Sequence, residues 1–214
     1  MFNEFEKRLI SSLILIPIVI FFIIQGSTFF TIFLSLIFLI TSYEWLKMNK
    51  KNYIINLIGI IFLLISFYCA FYLRENNLVF FLLIVIVCIF TDVGGYIFGK
   101  TLKGPKLTKI SPNKTYSGAI GSFLISLIAG LTYLDYLGDV NILNNNYLKI
   151  FLLIFFVSLT SQLGDLVISF FKRQARLKDT GMIIPGHGGM LDRIDGLIFA
   201  LPISYILILI MDFI

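Results

Sequence analysis

The chain has 214 residues, of which 58% are hydrophobic and only 14% charged, and its mean hydropathy is +0.97. A water-soluble domain of this length carries far more surface charge, so the composition excludes one and indicates a protein embedded in a bilayer. The formal net charge of +5 does not suggest nucleic-acid binding, because the basic residues lie in short stretches between apolar segments.

Seven apolar segments approach the roughly 20 residues that a helix needs to cross the hydrocarbon core. In chain order they are 9–24, 28–43, 53–73, 78–98, 117–134, 148–171 and 191–213. The first two are short and are joined by Gln25-Gly26-Ser27, which favours a helical hairpin. The sequence therefore predicts an all-α polytopic membrane protein with about seven transmembrane helices.

The distribution of basic residues predicts the orientation of these spans. With the N-terminus inside, all of the 17 Lys and Arg residues except Arg74 and Lys149 fall in the N-terminal tail, in inside loops or at the inner end of a span. This asymmetry is typical of cytoplasmic loops, and it puts the C-terminus outside. We expect three N-terminal spans in residues 1–76 and a catalytic membrane domain in residues 77–214, with two inside loops that carry the site.

Polar side chains inside predicted spans are costly and suggest function. Residues on the sixth span follow one another at helical spacing and form one polar stripe, which suggests a water-filled cavity that opens inward. They are Ser158, Gln162, Asp165, Ser169 and Lys172. A buried Asp165 that pairs with Lys172 or another neighbour for helix packing alone is the alternative. Asp92, near the inner end of the fourth span, is either a site residue or an interfacial residue that reaches water.

The loop before the last span combines cations, carboxylates and glycines. Cations and free backbone N–H groups suit phosphate oxygens, and carboxylates suit Mg²⁺. Gly188 and Gly189 precede the last helix, whose N-terminus is predicted to help hold an anion. Anionic substrates and a divalent metal at a membrane surface suggest phosphoryl or nucleotidyl transfer.

The spacing of these residues resembles a known family motif. The motif runs Ser169-x-x-Lys172-Arg173, four residues, Lys178-Asp179, then Pro185-x-His187-Gly188-Gly189-x-x-Asp192-Arg193-x-Asp195. It is similar to the motif of the phosphatidate cytidylyltransferases, also called CDP-diacylglycerol synthases. Gly164-Asp165-Leu166, the segment 92–99 and Ile110-Ser111-Pro112-Asn113-Lys114-Thr115 also resemble that family, whereas Glu44-Trp45 is only a weak echo of it.

The resemblance implies that the phosphate of phosphatidic acid attacks the α-phosphorus of CTP, which yields CDP-diacylglycerol and releases pyrophosphate. It implies Asp165 and Asp192 as ligands of Mg²⁺, and it leaves open a second, monovalent cation. Asp195 is expected to be a third ligand or an orienting residue, or else the ion-pair partner of Arg193 or Arg173. Catalytic roles are assigned to Asp165, Asp192, Lys172, Arg173, His187 and Asp195.

Substrate contacts are predicted on both inside loops. The residues are Lys178, Arg193, Gly188, Gly189, Ser111, Asn113, Lys114 and Asp92. The expected partners are CTP and phosphatidic acid, with no nucleic acid, and a homodimer is left open. The expected location is the bacterial inner membrane, with the site facing the cytoplasm. The alternatives are a CTP-dependent lipid-alcohol kinase of the same superfamily and an anion transporter.

Overall fold

A computed structural model describes residues 4–49, 52–108, 111, 114–137, 147–184, 186, 188–211 and 213. Within these ranges the chain forms seven α-helices and no strand. The helices are α1 (Glu4–Gln25), α2 (Ser27–Met48), α3 (Tyr53–Asn76), α4 (Leu78–Thr101), α5 (Tyr116–Tyr136), α6 (Tyr147–Gln174) and α7 (Leu191–Ile210). Each predicted apolar segment corresponds to one helix, so the predicted fold class is confirmed.

Six of these helices, α2 to α7, are long and apolar enough to cross a membrane. The apolar part of α1, Ser11–Gln25, is shorter than the other spans. Many hydrophobic side chains on the helices point away from the protein core. A lipid environment accommodates such side chains, whereas their exposure to water would be unfavourable. The chain is therefore a multi-pass membrane protein, and the orientation of its termini stays a prediction.

The chain divides into two compact units, of which the first consists of Met1–Glu75 and Phe171–Ile194. It contains α1, α2, α3, the loop between α6 and α7, and the helical turns that flank this loop. The second consists of Asn76–Phe170 and Asp195–Ile214 and contains α4, α5 and most of α6 and α7. The domain division predicted from the sequence, with N-terminal spans in 1–76 and a catalytic membrane domain in 77–214, stays a prediction.

In the first unit, the end of α3 holds the turn between α1 and α2. Arg74 donates hydrogen bonds to the carbonyl oxygens of Ile23 at 2.9 Å and Ile24 at 2.8 Å, which end α1. Glu75 pairs with Arg74 at 2.7 Å and accepts from the N–H of Ser27, which begins α2. The charged pair therefore satisfies backbone groups at two helix ends that would otherwise lack partners in the apolar phase.

Trp45 fixes the other end of α2. Its side chain is buried, its Nε1 donates to the carbonyl oxygen of Ile55 at 3.4 Å, and its ring meets that of Phe171 edge to face at 4.9 Å. The indole lies directly against Gly59 of α3, where a Cβ would overlap the ring. These contacts hold the residue next to Trp45 in the chain, Glu44, at the loop between α6 and α7.

In the second unit, glycines bring α4 and α5 into backbone contact. A Cβ on Gly94 would lie 2.5 Å from the carbonyl oxygen of Gly121, so only glycine permits this approach. Ser122 then donates to the carbonyl oxygen of Thr91 at 2.7 Å. Small residues at a helix interface are the usual solution in membranes, where packing and hydrogen bonds replace the hydrophobic effect between helices.

Candidate functional site

A cavity of about 320 Å³ opens in the second unit, among α4, α5, α6 and the segment between α4 and α5. Polar and small residues form much of its wall. They are Thr91, Asp92, Gly95, Tyr96, Ser111, Lys114, Thr115, Gly118, Ser122, Gln162 and Asp165, with Leu107 and Ala119. The cavity brings together four of the predicted site residues, Asp92, Ser111, Lys114 and Asp165.

An ion pair lies on the wall of this cavity. The Nζ of Lys114 is 2.7 Å from Oδ2 of Asp165, and it also donates to the carbonyl oxygen of Gln162 at 3.2 Å. Ser169, one helical turn after Asp165, donates to Oδ1 at 3.2 Å. Both charged side chains keep some exposure, 24% for Lys114 and 31% for Asp165, as groups that meet a soluble substrate would. The pair considered from the sequence, Asp165 with Lys172, is replaced by this one.

A buried chain of hydroxyl groups lies beside the cavity. Thr91 of α4 donates to Ser158 of α6 at 2.9 Å, and the side-chain amide of Gln162 donates to the same Ser158 oxygen at 3.4 Å. The polar stripe predicted on α6 therefore exists at Ser158, Gln162, Asp165 and Ser169, and it faces polar partners. Thr91 was not predicted, because a single hydroxyl inside an apolar helix gives no distinctive sequence signal.

The loop between α6 and α7, in the first unit, is organised around Asp192. Its Oδ1 accepts from Lys172 at 2.7 Å. Its Oδ2 accepts from the N–H of Thr180 at 2.7 Å, from the Thr180 hydroxyl at 3.0 Å and from the N–H of Gly189 at 3.1 Å. The Asp192 side chain is only 6% exposed. The structure therefore assigns Asp192 and Lys172 to one charged cluster that ties the loop together.

Glu44 belongs to the same cluster and was not predicted to be a site residue. Its carboxylate is buried and accepts from the Thr180 hydroxyl, from the N–H of Met190 and from the N–H of Leu191. The available signal was a carboxylate near the end of an apolar segment, followed by a tryptophan. Glu44-Trp45 resembles the family motif only weakly, and the partners of Glu44 lie more than a hundred residues further along the chain, where no spacing pattern connects them to it.

The N-terminus of α7 is therefore already occupied by side chains of the protein. The N–H groups of Gly189, Met190 and Leu191 donate to Asp192 or Glu44, so a phosphate would have to compete with two carboxylates there. The assignment of Gly188 and Gly189 to substrate binding stays a prediction. A more direct role of these glycines is to let the loop pass close to the carboxylates, since a Cβ on Gly189 would lie 2.7 Å from both Glu44 oxygens.

The remaining predicted residues are more dispersed. The side chains of Arg173, Lys178 and Arg193 are exposed, as cations that meet phosphate or lipid head groups would be. Asp195 is partly buried, belongs to the second unit and accepts from the N–H of Gly196 at 2.8 Å. His187 and Asn113 lie outside the described residues. Asp165 and Asp192, the two predicted metal ligands, belong to different compact units.

The carboxylates of the cavity suit a hard divalent cation. Among the described residues there is no cluster of three or more His, Cys, Asp or Glu that could hold a metal ion. Mg²⁺ does not require one, because it is usually bound by one or two carboxylates together with waters and substrate phosphates. Asp92 and Asp165 line one cavity and provide that donor set. Both oxygens of Asp192 are hydrogen-bonded, as are those of Asp165, but the Asp192 side chain is only 6% exposed whereas that of Asp165 is 31% exposed.

The model of the cytidylyltransferase family matches residues 53–211 of this chain. The phosphatidate cytidylyltransferase of Rickettsia bellii is 35% identical over 204 residues, which cover 92% of this chain and 88% of that protein. The phosphatidate cytidylyltransferase of Staphylococcus haemolyticus is 37% identical over 180 residues, which cover 82% of this chain and 68% of that protein. The corresponding Staphylococcus aureus protein is 38% identical over the same length and with the same coverage.

Proposed function

The chain belongs to the cytidylyltransferase family, and from that premise we propose that it is a phosphatidate cytidylyltransferase, which converts CTP and phosphatidic acid into CDP-diacylglycerol and pyrophosphate. The observation that carries the proposal is the cavity of the second unit. Asp92, Ser111, Lys114 and Asp165 were assigned to the site on sequence grounds, and they line the same space.

The reaction transfers CMP in a single displacement. An oxygen of the phosphatidic acid phosphate forms a bond to the α-phosphorus of CTP, and the bond from that phosphorus to the bridging oxygen of the β-phosphate breaks. Pyrophosphate leaves with the bonding electron pair. Such a transfer needs no covalent intermediate on the protein, so positioning and charge stabilisation account for most of the catalysis.

The side chains of the cavity can meet these requirements. Lys114 offers an ammonium group to a phosphate, and the hydroxyl groups of Ser111 and Thr115 offer hydrogen bonds to the nucleotide. Asp165, together with Asp92, would hold Mg²⁺, which when bound supplies positive charge to the phosphates of CTP. The exposed cations Arg173, Lys178 and Arg193 would attract the anionic lipid and the nucleotide.

The site faces the cytoplasm of a bacterial inner membrane in this proposal. Basic residues cluster on the loop that carries Lys114 and on the loop that precedes Asp192, as is typical of cytoplasmic segments. CTP is a charged, soluble substrate and phosphatidic acid is an anchored lipid, so a cavity in a membrane protein near its polar loops can receive both. A homodimer and a monovalent cation stay predictions.

The lipid-alcohol kinase is distinguished by the phosphate that is transferred. Purified protein in detergent is incubated with Mg²⁺ and either phosphatidic acid or a lipid alcohol, and CTP is labelled in parallel reactions at the α- or the γ-phosphate. We expect α-label in the lipid phase, γ-label in pyrophosphate, and loss of both signals with EDTA. If γ-label enters a lipid alcohol and α-label stays in aqueous CDP, the protein is a kinase. If CTP is unchanged with either lipid and folded protein, an anion transporter becomes the better account.

A further inference from the structure

The Glu44 carboxylate is buried in the first unit at a cost that only strong partners can offset. It lies near the end of α2, and the residue is 1% exposed. A charge away from water is tolerated when it is fully hydrogen-bonded. Among the described residues, Glu44 accepts from three donors: the Thr180 hydroxyl at 3.1 Å, the N–H of Met190 at 3.0 Å and the N–H of Leu191 at 2.8 Å.

Two of these donors belong to the start of α7. The first N–H groups of a helix have no partner within the helix, and a carboxylate is favoured there by the helix dipole. Caps normally come from the residue just before the helix, but here the cap comes from a different helix, α2. Glu44 therefore fixes where α7 begins, and with it the position of Asp192 in the first turn.

The third donor connects Glu44 to the rest of the cluster. The hydroxyl of Thr180 lies 3.1 Å from Glu44 Oε2 and 3.0 Å from Asp192 Oδ2, so its single proton is shared between the two carboxylates. Asp192 in turn pairs with Lys172. The loop also wraps closely around Glu44, since a Cβ on Gly181 would lie 2.5 Å from Oε1.

We propose that Glu44 is a positioning residue: it ties the middle of the loop between α6 and α7, at Thr180, to the start of α7, and thereby sets the geometry of Asp192 and Lys172, which the sequence assigns to the reaction. Glu44 lies before residues 53–211, the part that the family model matches. The kinetic consequence rests on the proposed function, whereas the anchoring of the loop does not.

The test compares Glu44→Gln with a matched control in the same helix. Glu44→Gln keeps the size of the side chain but places an amide N–H against a donor, so at least one of the three hydrogen bonds is lost. Thr41→Val is the control, because Thr41 is equally buried in α2 and its hydroxyl, in the part of the chain that the structure describes, bonds to carbonyl oxygens of its own helix. Thr180→Val removes the shared hydroxyl, and Thr180→Ser keeps it.

Two measurements are made on monodisperse protein. Hydrogen exchange of the peptide 179–191 is expected to be faster in Glu44→Gln and Thr180→Val, and unchanged in Thr41→Val and Thr180→Ser, with the rest of the first unit unaffected. The kcat per folded molecule is expected to fall roughly 100-fold in Glu44→Gln, because displacing a reacting group by about 1 Å can cost that much. The double variant with Thr180→Val should lose less than the product of the two single effects.

The outcomes separate this inference from the proposed function. Unchanged exchange at 179–191 in Glu44→Gln overturns the anchoring role, whatever the activity. Faster exchange with a normal kcat overturns the positioning role. If the wild-type protein makes no CDP-diacylglycerol while Glu44→Gln still loosens the loop, the proposed function fails and the anchoring role is supported.

Discussion

The ammonium group of Lys114 lies 2.7 Å from the carboxylate of Asp165, and both side chains line the cavity of the second unit. Lys114 comes from the segment before α5, and Asp165 comes from the middle of α6. The contact therefore fixes the loop against the helix at the place where the substrate phosphates are proposed to bind.

Replacement of Lys114 by methionine should weaken both the loop and the site. Methionine keeps the length of the side chain but removes the charge, so Asp165 loses its cation and a phosphate loses its partner. We expect kcat/KM for CTP to fall about 100-fold, equivalent to about 2.7 kcal/mol of transition-state stabilisation. Steady-state assays of CDP-diacylglycerol formation measure the effect.

Lys100→Met is the control for that variant, because Lys100 is an exposed cation in the last turn of α4 whose ammonium group lies 3.2 Å from the Tyr96 hydroxyl. Its kcat/KM should stay within about twofold of the wild-type value, since surface charges contribute little. Equal losses in both variants would mean that Lys114 contributes only general positive charge and has no specific role in the cavity.

Asp192→Asn should loosen the loop as well as abolish turnover. Asparagine places an N–H group against either Lys172 or the loop donors, so the cluster keeps a donor without an acceptor. Hydrogen bonds to charged groups contribute about 1.5 to 3 kcal/mol each, and a loss of this size should lower the thermal midpoint in detergent. An inactive variant with an unchanged midpoint would instead favour the metal-ligand role that the sequence predicted.

Gly94→Ala should destabilise the second unit. Its Cβ would press on the carbonyl oxygen of Gly121 at 2.5 Å and on the Cα of Ser122 at 2.9 Å, and backbone atoms cannot move aside. Overpacking of this kind costs roughly 1 to 3 kcal/mol. Gly99→Ala on the same helix is the control, because its Cβ would lie 3.3 Å from the Thr115 hydroxyl and 3.8 Å from the Cα of Gly118, with no backbone atom in tight contact. Denaturant unfolding in detergent should show a loss for Gly94→Ala that clearly exceeds that of the control.

The proposed orientation can be tested with two cysteines on opposite sides. Met182 in the loop between α6 and α7 is 96% exposed, and Tyr136 at the end of α5 is 90% exposed. The native cysteines, Cys69 and Cys88, are buried and should not react. An impermeant maleimide should label Met182→Cys only in inside-out vesicles and Tyr136→Cys only in intact cells. The reverse pattern would invert the topology.

The helices were predictable from the sequence because long apolar segments leave few alternatives in a bilayer. Segment 53–73 corresponds to α3, Tyr53–Asn76, and segment 78–98 to α4, Leu78–Thr101. Both helices continue about one turn past the C-terminal end of the apolar segment, whereas α4 begins where its segment begins, next to Asn77, whose side chain caps it through the N–H of Phe80. Hydropathy alone does not report such caps.

The site was predictable only where its residues carry a spaced motif. Asp165 and Lys114 were assigned separately, but their pairing depends on how the loop before α5 folds onto α6. Glu44 and Thr180 were missed as site residues because their roles arise from contacts between distant parts of the chain. Gly189 was assigned to phosphate binding, whereas its N–H donates to Asp192 in the structure. A spacing pattern identifies candidate chemical groups but does not show which of them stabilise the fold and which bind substrate.

Whether this cavity is the active site is tested most directly by one assay that compares wild-type protein with Asp165→Asn and with Thr160→Val. Thr160 lies on the same helix, and its hydroxyl bonds to carbonyl oxygens of that helix. The measurement is transfer of α-labelled CTP into lipid with phosphatidic acid and Mg²⁺. We expect labelled CDP-diacylglycerol from the wild-type and Thr160→Val proteins, and at least about 100-fold less from Asp165→Asn. Equal transfer by all three folded proteins would contradict the assignment of the site to this cavity, and no transfer by any would contradict the proposed function.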